Sequence, residues 1–215
     1  MKSGEIWRFP FGDGKYGLMR VMLRVRDLCL SPSDPMAFVS NACLVQVAVP
    51  YAQEDTSFPK VKKDLLVDGM FLAGPGKMKA SGFQRIGFSK VSLDEVEFPC
   101  WLIRDADKGV LFCRGEVLEA ISGVGAEELY TKWNIRLTPF YPNQALRAIS
   151  DFISFRQSPS PTGKRYLSRI PASDLRYHPQ RASALKELGV SFDQAYCSLL
   201  SEVQVSRLEA CVKVE

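Results

Sequence analysis

The first 25 residues constrain the fold more than any other stretch of the chain. An apolar run around Trp7 leads into Gly12-Asp13-Gly14, and a second apolar run follows over residues 16–25. Asp-Gly between two apolar runs is a strong β-hairpin signal, because glycine readily adopts the positive φ angle that such turns need. We therefore expect the chain to open in a hairpin that buries Trp7, with no cleavable leader ahead of it.

Composition places the chain among globular proteins. It has 215 residues, of which 46% are hydrophobic, and no apolar run reaches the roughly 18 residues that indicate a membrane span. The six cysteines are scattered and form no Cys-x-x-Cys pair, a pattern typical of the reduced thiols of a cytoplasmic protein. A net charge of +4 is too small to imply a nucleic-acid partner.

The charge is unevenly distributed along the chain. Residues 94–128 hold nine acidic and three basic residues, whereas residues 132–181 hold nine basic and two acidic ones. These two segments either pair with each other or offer a face to a charged partner. For the second possibility we predict a partner-binding site of four acids and one apolar anchor within the acidic segment. Its members are Asp105 and Asp107 at a predicted hairpin tip, Glu116 and Glu119 on the next element, and Trp101 as the anchor.

The remaining pattern predicts an α+β fold. Residues 1–137 are expected to form a β-rich N-terminal body, a twisted antiparallel sheet or a small barrel, and residues 138–215 a helical C-terminal extension packed on it. Predicted strands lie at residues 36–49, 65–72, 82–87 and 129–137, with a second hairpin formed by residues 101–103 and 110–113. Predicted helices lie at residues 143–155, at residues 180–189 and after a capping Ser191.

Few residues in the sequence point to catalysis. His178 is the only histidine, which excludes a multi-histidine metal site, and no Gly-x-Ser-x-Gly nucleophile motif is present. Gly12-x-Gly14-x-x-Gly17 resembles part of a dinucleotide-binding fingerprint, but a strand pattern follows it instead of the helix that would hold a phosphate. We therefore expect a protein that is not an enzyme, with no catalytic residues, no cofactor and no metal ion.

The opening of the chain resembles the immunity protein 26 family of bacterial polymorphic toxin systems. The residues that carry the resemblance are Gly4-Glu5-Ile6, Gly12-Asp13-Gly14, Tyr16-Gly17, Arg20, Phe83-Gln84-Arg85-Ile86-Gly87 and Phe98-Pro99. It covers about residues 4–115 and implies a non-enzymatic protein that binds a cognate toxin and blocks it in the cytoplasm of the producing cell. Nucleases with basic clefts are one class of such toxins, and an acidic surface would suit them. Neither a membrane nor a nucleic acid is an expected partner.

A second resemblance points to a different class of protein. The opening is also similar to that of the PemK-like mRNA interferases, small barrels that begin Gly-acidic-hydrophobic-Trp, although their Arg-Pro step is absent after Gly17. Under this alternative, a small RNA-binding or RNA-cleaving barrel, Arg20, Arg24 and Arg26 would contact RNA. Otherwise these arginines are expected to line the exposed face of an amphipathic strand. A structural module without a ligand is a third possibility.

Overall fold

The computed structural model describes residues 1–12, 15–28, 40–51, 58, 65, 67–73, 82–105, 109–121, 123–133, 174–177, 187–190 and 194–212. The chain divides into two compact units, which we call the first unit (Met1–Phe98 with Tyr196–Glu215) and the second unit (Pro99–Ala195). The predicted boundary between residues 137 and 138 lies outside the described residues and stays a prediction.

The described elements are mostly strands. The strands are β1 (Glu5–Gly12), β2 (Lys15–Arg24), β3 (Ala42–Tyr51), β4 (Val67–Ala73), β5 (Gln84–Phe88), β6 (Cys100–Asp105), β7 (Gly109–Arg114) and β8 (Val117–Ile121). The α-helices are α1 (Ala126–Trp133) and α2 (Glu202–Val212). Short 3-10 helices cover Val25–Asp27, Leu93–Glu95, Leu175–Tyr177 and Tyr196–Leu199. The α+β prediction of a β-rich N-terminal body with a helical C-terminal region is confirmed.

The first unit is built on a five-stranded antiparallel sheet with the strand order β4-β3-β2-β1-β5. The predicted opening hairpin is confirmed, since β1 pairs with β2 and places Trp7 opposite Met19. Trp7 is buried as predicted. The strand expected within residues 36–49 is present from Ala42 onward, and the strands expected near residues 65–72 and 82–87 are β4 and the edge strand β5.

Both faces of this sheet carry apolar side chains. Ile6, Leu18 and Ala48 form a cluster on one face with Phe58 and Leu65. Phe9 belongs to the other face, because side chains alternate along a strand, and its ring stacks on Phe83 with 5.2 Å between centroids. Burial on both faces explains why the central strand β2 consists of a nearly continuous apolar run.

The second unit contains a three-stranded antiparallel sheet with the order β6-β7-β8. The predicted second hairpin is confirmed, with Asp105 opposite Gly109 at its closed end. The strand predicted at residues 129–137 is wrong over its described part, because residues 129–133 belong to α1. Leu129 faces the apolar core of the unit, and Glu127 and Glu128 occupy the first helical turn, where the positive end of the helix dipole favours acids.

The helix predicted to follow Ser191, with an apolar face between Phe192 and Leu200, is not an α-helix over its described part. Residues 196–199 form only a 3-10 turn, and α2 starts after Ser201. Ser201 and Gln204 form a capping box, in which the Ser201 N–H donates to Gln204 Oε1 at 3.0 Å and the Gln204 N–H donates to Ser201 Oγ at 3.4 Å. The helix predicted at residues 143–155 and most of the one at residues 180–189 lie outside the described residues. None of the described helices is long and apolar enough to cross a membrane.

Candidate functional site

Two groups of residues qualify as a candidate site, one in each unit. The predicted partner-binding residues belong to the sheet of the second unit, and the register shows that this sheet separates them. Asp105 ends β6 opposite Gly109, whereas Glu116 lies in the turn that follows Arg114 at the other end of β7. The six residues of β7 therefore hold the two ends roughly 17 Å apart, at the usual rise of a strand. Asp107 lies outside the described residues.

Trp101 is a buried residue of the second unit. It lies on β6 opposite Cys113, and its side chain is 1% exposed, so it does not stand on the surface as an apolar anchor. Burial raises the pKa of the Cys113 thiol to about 11, while a hydrogen bond from Trp101 acts in the opposite direction. A thiol with such a pKa is a poor nucleophile at neutral pH, since the thiolate is the reactive form.

Leu118 is an exposed apolar side chain of this sheet. It follows Trp101 and Cys113 in the same cross-strand row, and 39% of it is exposed. Glu119 is exposed beside it and, because side chains alternate, stands on the opposite face of β8. Ile121 shares the face of Glu119 and packs with Leu129 of α1.

Several acids of the second unit are exposed on β8 and on α1. Glu119, Glu127 and Glu128 are exposed, and Glu116 is half-buried in the turn after Gly115. Two bases of the basic segment, residues 132–181, pair with acids that lie outside the acidic segment, residues 94–128. Arg176 binds Asp174 at 2.7 Å between Nη2 and Oδ2, and Lys132 binds Glu187. These two bases therefore each have a charge partner outside the acidic segment.

The second group of residues surrounds Arg20, and here the prediction of an exposed strand face is wrong for that residue. Arg20 is buried in the middle of β2, opposite Gln46 on β3. Its Nη2 donates to Gln46 Oε1 at 2.8 Å and to Glu95 Oε1 at 2.5 Å, and its Nη1 donates to Ser89 Oγ at 3.4 Å. Because three partners from different segments accept its protons, the charge can be buried.

The cluster continues across the sheet through Gln46. The Gln46 amide nitrogen donates to Asp68 Oδ1 on β4 at 2.8 Å and to the backbone carbonyl of Glu95 at 3.2 Å. The second Glu95 oxygen accepts from the N–H and the hydroxyl of Ser92, both at 2.9 Å. We call these residues the Arg20 cluster; its members are Arg20, Gln46, Asp68, Ser89, Ser92 and Glu95. It joins three strands and the 3-10 helix Leu93–Glu95.

The electrostatics of the Arg20 cluster favour structure over catalysis. Burial by itself raises the pKa of Glu95, but the hydrogen bonds from Arg20 and Ser92 outweigh it and hold that pKa below its ordinary value. A carboxylate with a lowered pKa is a weak base near neutral pH. The described residues contain no group of three or more His, Cys, Asp or Glu side chains that could hold a metal ion. His178 lies outside the described residues.

The sequence analysis did not predict the Arg20 cluster, although the sequence carries one local signal for part of it. Ser92-x-x-Glu95 is a capping-box spacing, and both of its hydrogen bonds are present. No sequence pattern marks the pairing of Arg20 with Glu95, since the two residues are 75 positions apart. Arg24 and Arg26 both lie beside Asp27, with distances of 2.7 and 3.7 Å between their Nε atoms and its carboxylate oxygens.

The fold and these two groups of residues define an α+β protein built on antiparallel sheets, with a buried ionic cluster in one unit and exposed acids on a strand and a helix of the other. Comparisons with protein-family models, with curated proteins and with solved structures find no match to this chain. The resemblance to the immunity protein 26 family therefore stays a prediction.

Proposed function

We propose that this chain is a non-enzymatic immunity protein, which binds a cognate bacterial toxin and neutralises it in the cytoplasm of the producing cell. The observation that carries the proposal is the exposure of four side chains in the second unit, the acids Glu119, Glu127 and Glu128 and the apolar Leu118. The resemblance of Gly4-Glu5-Ile6 and Phe83-Gln84-Arg85-Ile86-Gly87 to the family adds support from another part of the chain.

Such a surface suits a basic partner. Exposed acids attract a positively charged protein and speed the encounter, whereas an apolar side chain in the interface mainly slows dissociation. A nuclease toxin carries a basic cleft because it binds phosphates, and an acidic surface can occupy that cleft. The partner we propose is therefore a toxin with a basic surface, a nuclease being the favoured case.

The direct test uses the polypeptide encoded immediately upstream of this chain, prepared as a catalytically inactive variant. We expect the two purified proteins to bind each other, and we expect co-expression of the chain to protect cells from the active form. Failure of the two proteins to bind, or of the chain to protect, would contradict the proposal.

Charge reversal tests the acidic segment. Changing Asp105, Asp107, Glu116 and Glu119 together to lysine is expected to slow association, more strongly at low salt, because a Debye length of about 8–10 Å screens attraction at physiological salt. Glu119→Lys alone is compared with Glu202→Lys, which reverses an exposed charge on α2. Unchanged association together with a lowered melting temperature would show that these acids serve folding and not the partner.

An activity assay addresses the ribonuclease alternative. We expect the purified chain to leave total RNA intact, with and without divalent metal ions. Specific cleavage that disappears in the Arg24→Ala variant would replace the immunity proposal by the alternative of an RNA-cleaving barrel.

A further inference from the structure

The outer edges of the two sheets differ in how they are protected. An edge strand has unpaired backbone groups, and proteins usually protect it with bulges, charges or covering segments. In the edge strand β5 the register shifts between its pairings with Ile6 and Trp7, and Arg85 lies there beside Glu5, with 3.4 Å between Nε and Oε1. On the outer side of β6, the N–H of Cys100 donates to the Asp174 carboxylate at 3.2 Å.

Among the described strands, β8 forms the other edge of this sheet, and its geometry is regular. Its register with β7 runs without a shift from Arg114 opposite Val117 to Val110 opposite Ile121. The strand is joined to β7 by a two-residue turn, so its hydrogen-bonded pairs alternate starting from Arg114 and Val117. Leu118 and Ala120 therefore direct their N–H and C=O groups away from β7.

The side chains around these outward backbone groups leave room for another strand. Leu118, Glu119 and Ala120 are all exposed, although each lies opposite a buried residue of β7. Leu118 and Ala120 share one face, and Glu119 stands on the other. A strand added to this edge would meet Leu118 and Ala120 on one face, and on the other face one carboxylate, Glu119, between Val117 and Ile121.

The central carboxylate selects the partner. If a second copy of the chain added its own β8 in the antiparallel register that pairs all five residues, Glu119 would lie directly opposite Glu119. Like charges in directly opposite positions destabilise a strand pair, whereas a lysine or arginine in that position would stabilise it. The edge therefore favours a basic strand from another protein over a second copy.

We propose that β8 binds an extended basic segment of the partner by strand addition, with a lysine or arginine opposite Glu119 and an apolar side chain against Leu118. This mode of binding adds backbone hydrogen bonds for affinity, while the alternating side chains give specificity. The inference rests on the proposed function for the source of the segment, which is the cognate toxin.

The test separates backbone pairing from side-chain contact. Ala120→Pro removes an outward N–H and leaves the ladder with β7 in place, as proline is tolerated on the open side of an edge strand. Ala120→Thr changes the same side chain but keeps the N–H. With the inactive upstream polypeptide as the probe, we expect Ala120→Pro to weaken binding about tenfold, the scale of one interfacial hydrogen bond. Ala120→Thr should bind like the wild type.

Reversing the charge of Glu119, at the centre of β8, gives a second test that does not depend on a proline substitution. Glu119→Lys should weaken binding of the same probe more than Glu127→Lys, which reverses an exposed acid of α1. Circular dichroism and melting temperature confirm that each variant is folded. Two results together would overturn the strand-addition inference and leave the proposed function intact. The first is that Ala120→Pro and Ala120→Thr bind the probe with equal affinity. The second is that Glu119→Lys binds it at least as tightly as Glu127→Lys.

A synthetic probe keeps the inference testable if the upstream polypeptide does not bind, a result that would contradict the proposed function. A nine-residue peptide of alternating threonine and valine with a central lysine is expected to shift the amide resonances of Leu118, Glu119 and Ala120. The same peptide with a central glutamate should not. Equal shifts with both peptides, or a wild-type dimer that Ala120→Pro dissociates, would overturn the proposed basic partner.

Discussion

The guanidinium of Arg20 and the carboxylate of Glu95 are held 2.5 Å apart, between Nη2 and Oε1, although 75 positions separate the two residues in the sequence. The Arg20 side chain is 5% exposed and that of Glu95 is 25% exposed. Because Gln46 also binds both residues, the contact fixes β2 and β3 to the segment that follows β5. Removing one partner of an ion pair buried to this extent is destabilising, because the other charge is then left without a partner.

Removal of the Arg20 side chain should therefore destabilise the first unit strongly. We expect Arg20→Met to lower the free energy of unfolding by about 3–5 kcal/mol, because Gln46 Oε1 and Glu95 Oε1 lose the guanidinium that donates to them. Urea denaturation followed by tryptophan fluorescence measures the change. Arg26→Met is the control, since that side chain is 65% exposed and its contribution should be below about 1 kcal/mol. Similar losses in the two variants would contradict a stabilising role for the Arg20 cluster.

Acid should weaken the same cluster. The pKa of Glu95 in the folded protein lies below its ordinary value of 4.5, so as the pH falls the unfolded chain takes up the proton first. The stability from the ionised carboxylate is thus fully present above the ordinary pKa and is lost as the pH falls through the folded-state pKa. The difference in unfolding free energy between the wild type and Glu95→Gln should therefore be larger at pH 7 than at pH 3. Glu202→Gln serves as the control, and a difference that stays constant over this range would contradict the pairing.

Trp7 should be a major contributor to the core. The indole is 5% exposed, and its Nε1 donates to Glu5 Oε2 at 3.3 Å. We expect Trp7→Ala to cost about 3–5 kcal/mol, as for other large buried aromatic residues. Chemical denaturation, followed by circular dichroism because the variant lacks one tryptophan, provides the measurement. Val203→Ala is the control and should change the free energy of unfolding little, because that position is 77% exposed. A loss below about 1 kcal/mol for Trp7→Ala would contradict a role in the core and indicate a role in binding.

The position just before β1 should require glycine, which is Gly4 in this chain. Its φ is +83°, and a Cβ built on it would lie 2.5 Å from the Phe88 ring and 2.8 Å from the carbonyl oxygen of Ser89. We expect Gly4→Ala to destabilise the first unit by about 1–3 kcal/mol, because both the backbone conformation and the backbone contact become strained. Gly87→Ala is the matched control on the neighbouring strand, where the nearest contact would be Ile6 Cδ1 at 3.9 Å. Equal melting temperatures for the two variants would show that Gly4 is not constrained.

The sequence predicted best those parts of the fold that neighbouring residues determine. Both hairpins followed from glycine-containing turns between apolar runs, and the edge strand β5 followed from its alternating pattern. The error at residues 129–133 arose because a short apolar run has too few residues to distinguish a strand from a helix. Contact between Leu129 and the core of the second unit accompanies the helix there.

The candidate sites depended more on tertiary structure. The distribution of charge along the sequence shows that acids are concentrated between residues 94 and 128. Only the strand register shows that Asp105 and Glu116 lie at opposite ends of β7. The sequence determined the hairpins, the apolar strands and the uneven charge, because these depend on residues close together in the chain. The tertiary structure decided that Arg20 is buried against Glu95 and that Leu118 is exposed while Trp101 is not. Burial depends on which distant segments meet, and no local pattern encodes that meeting.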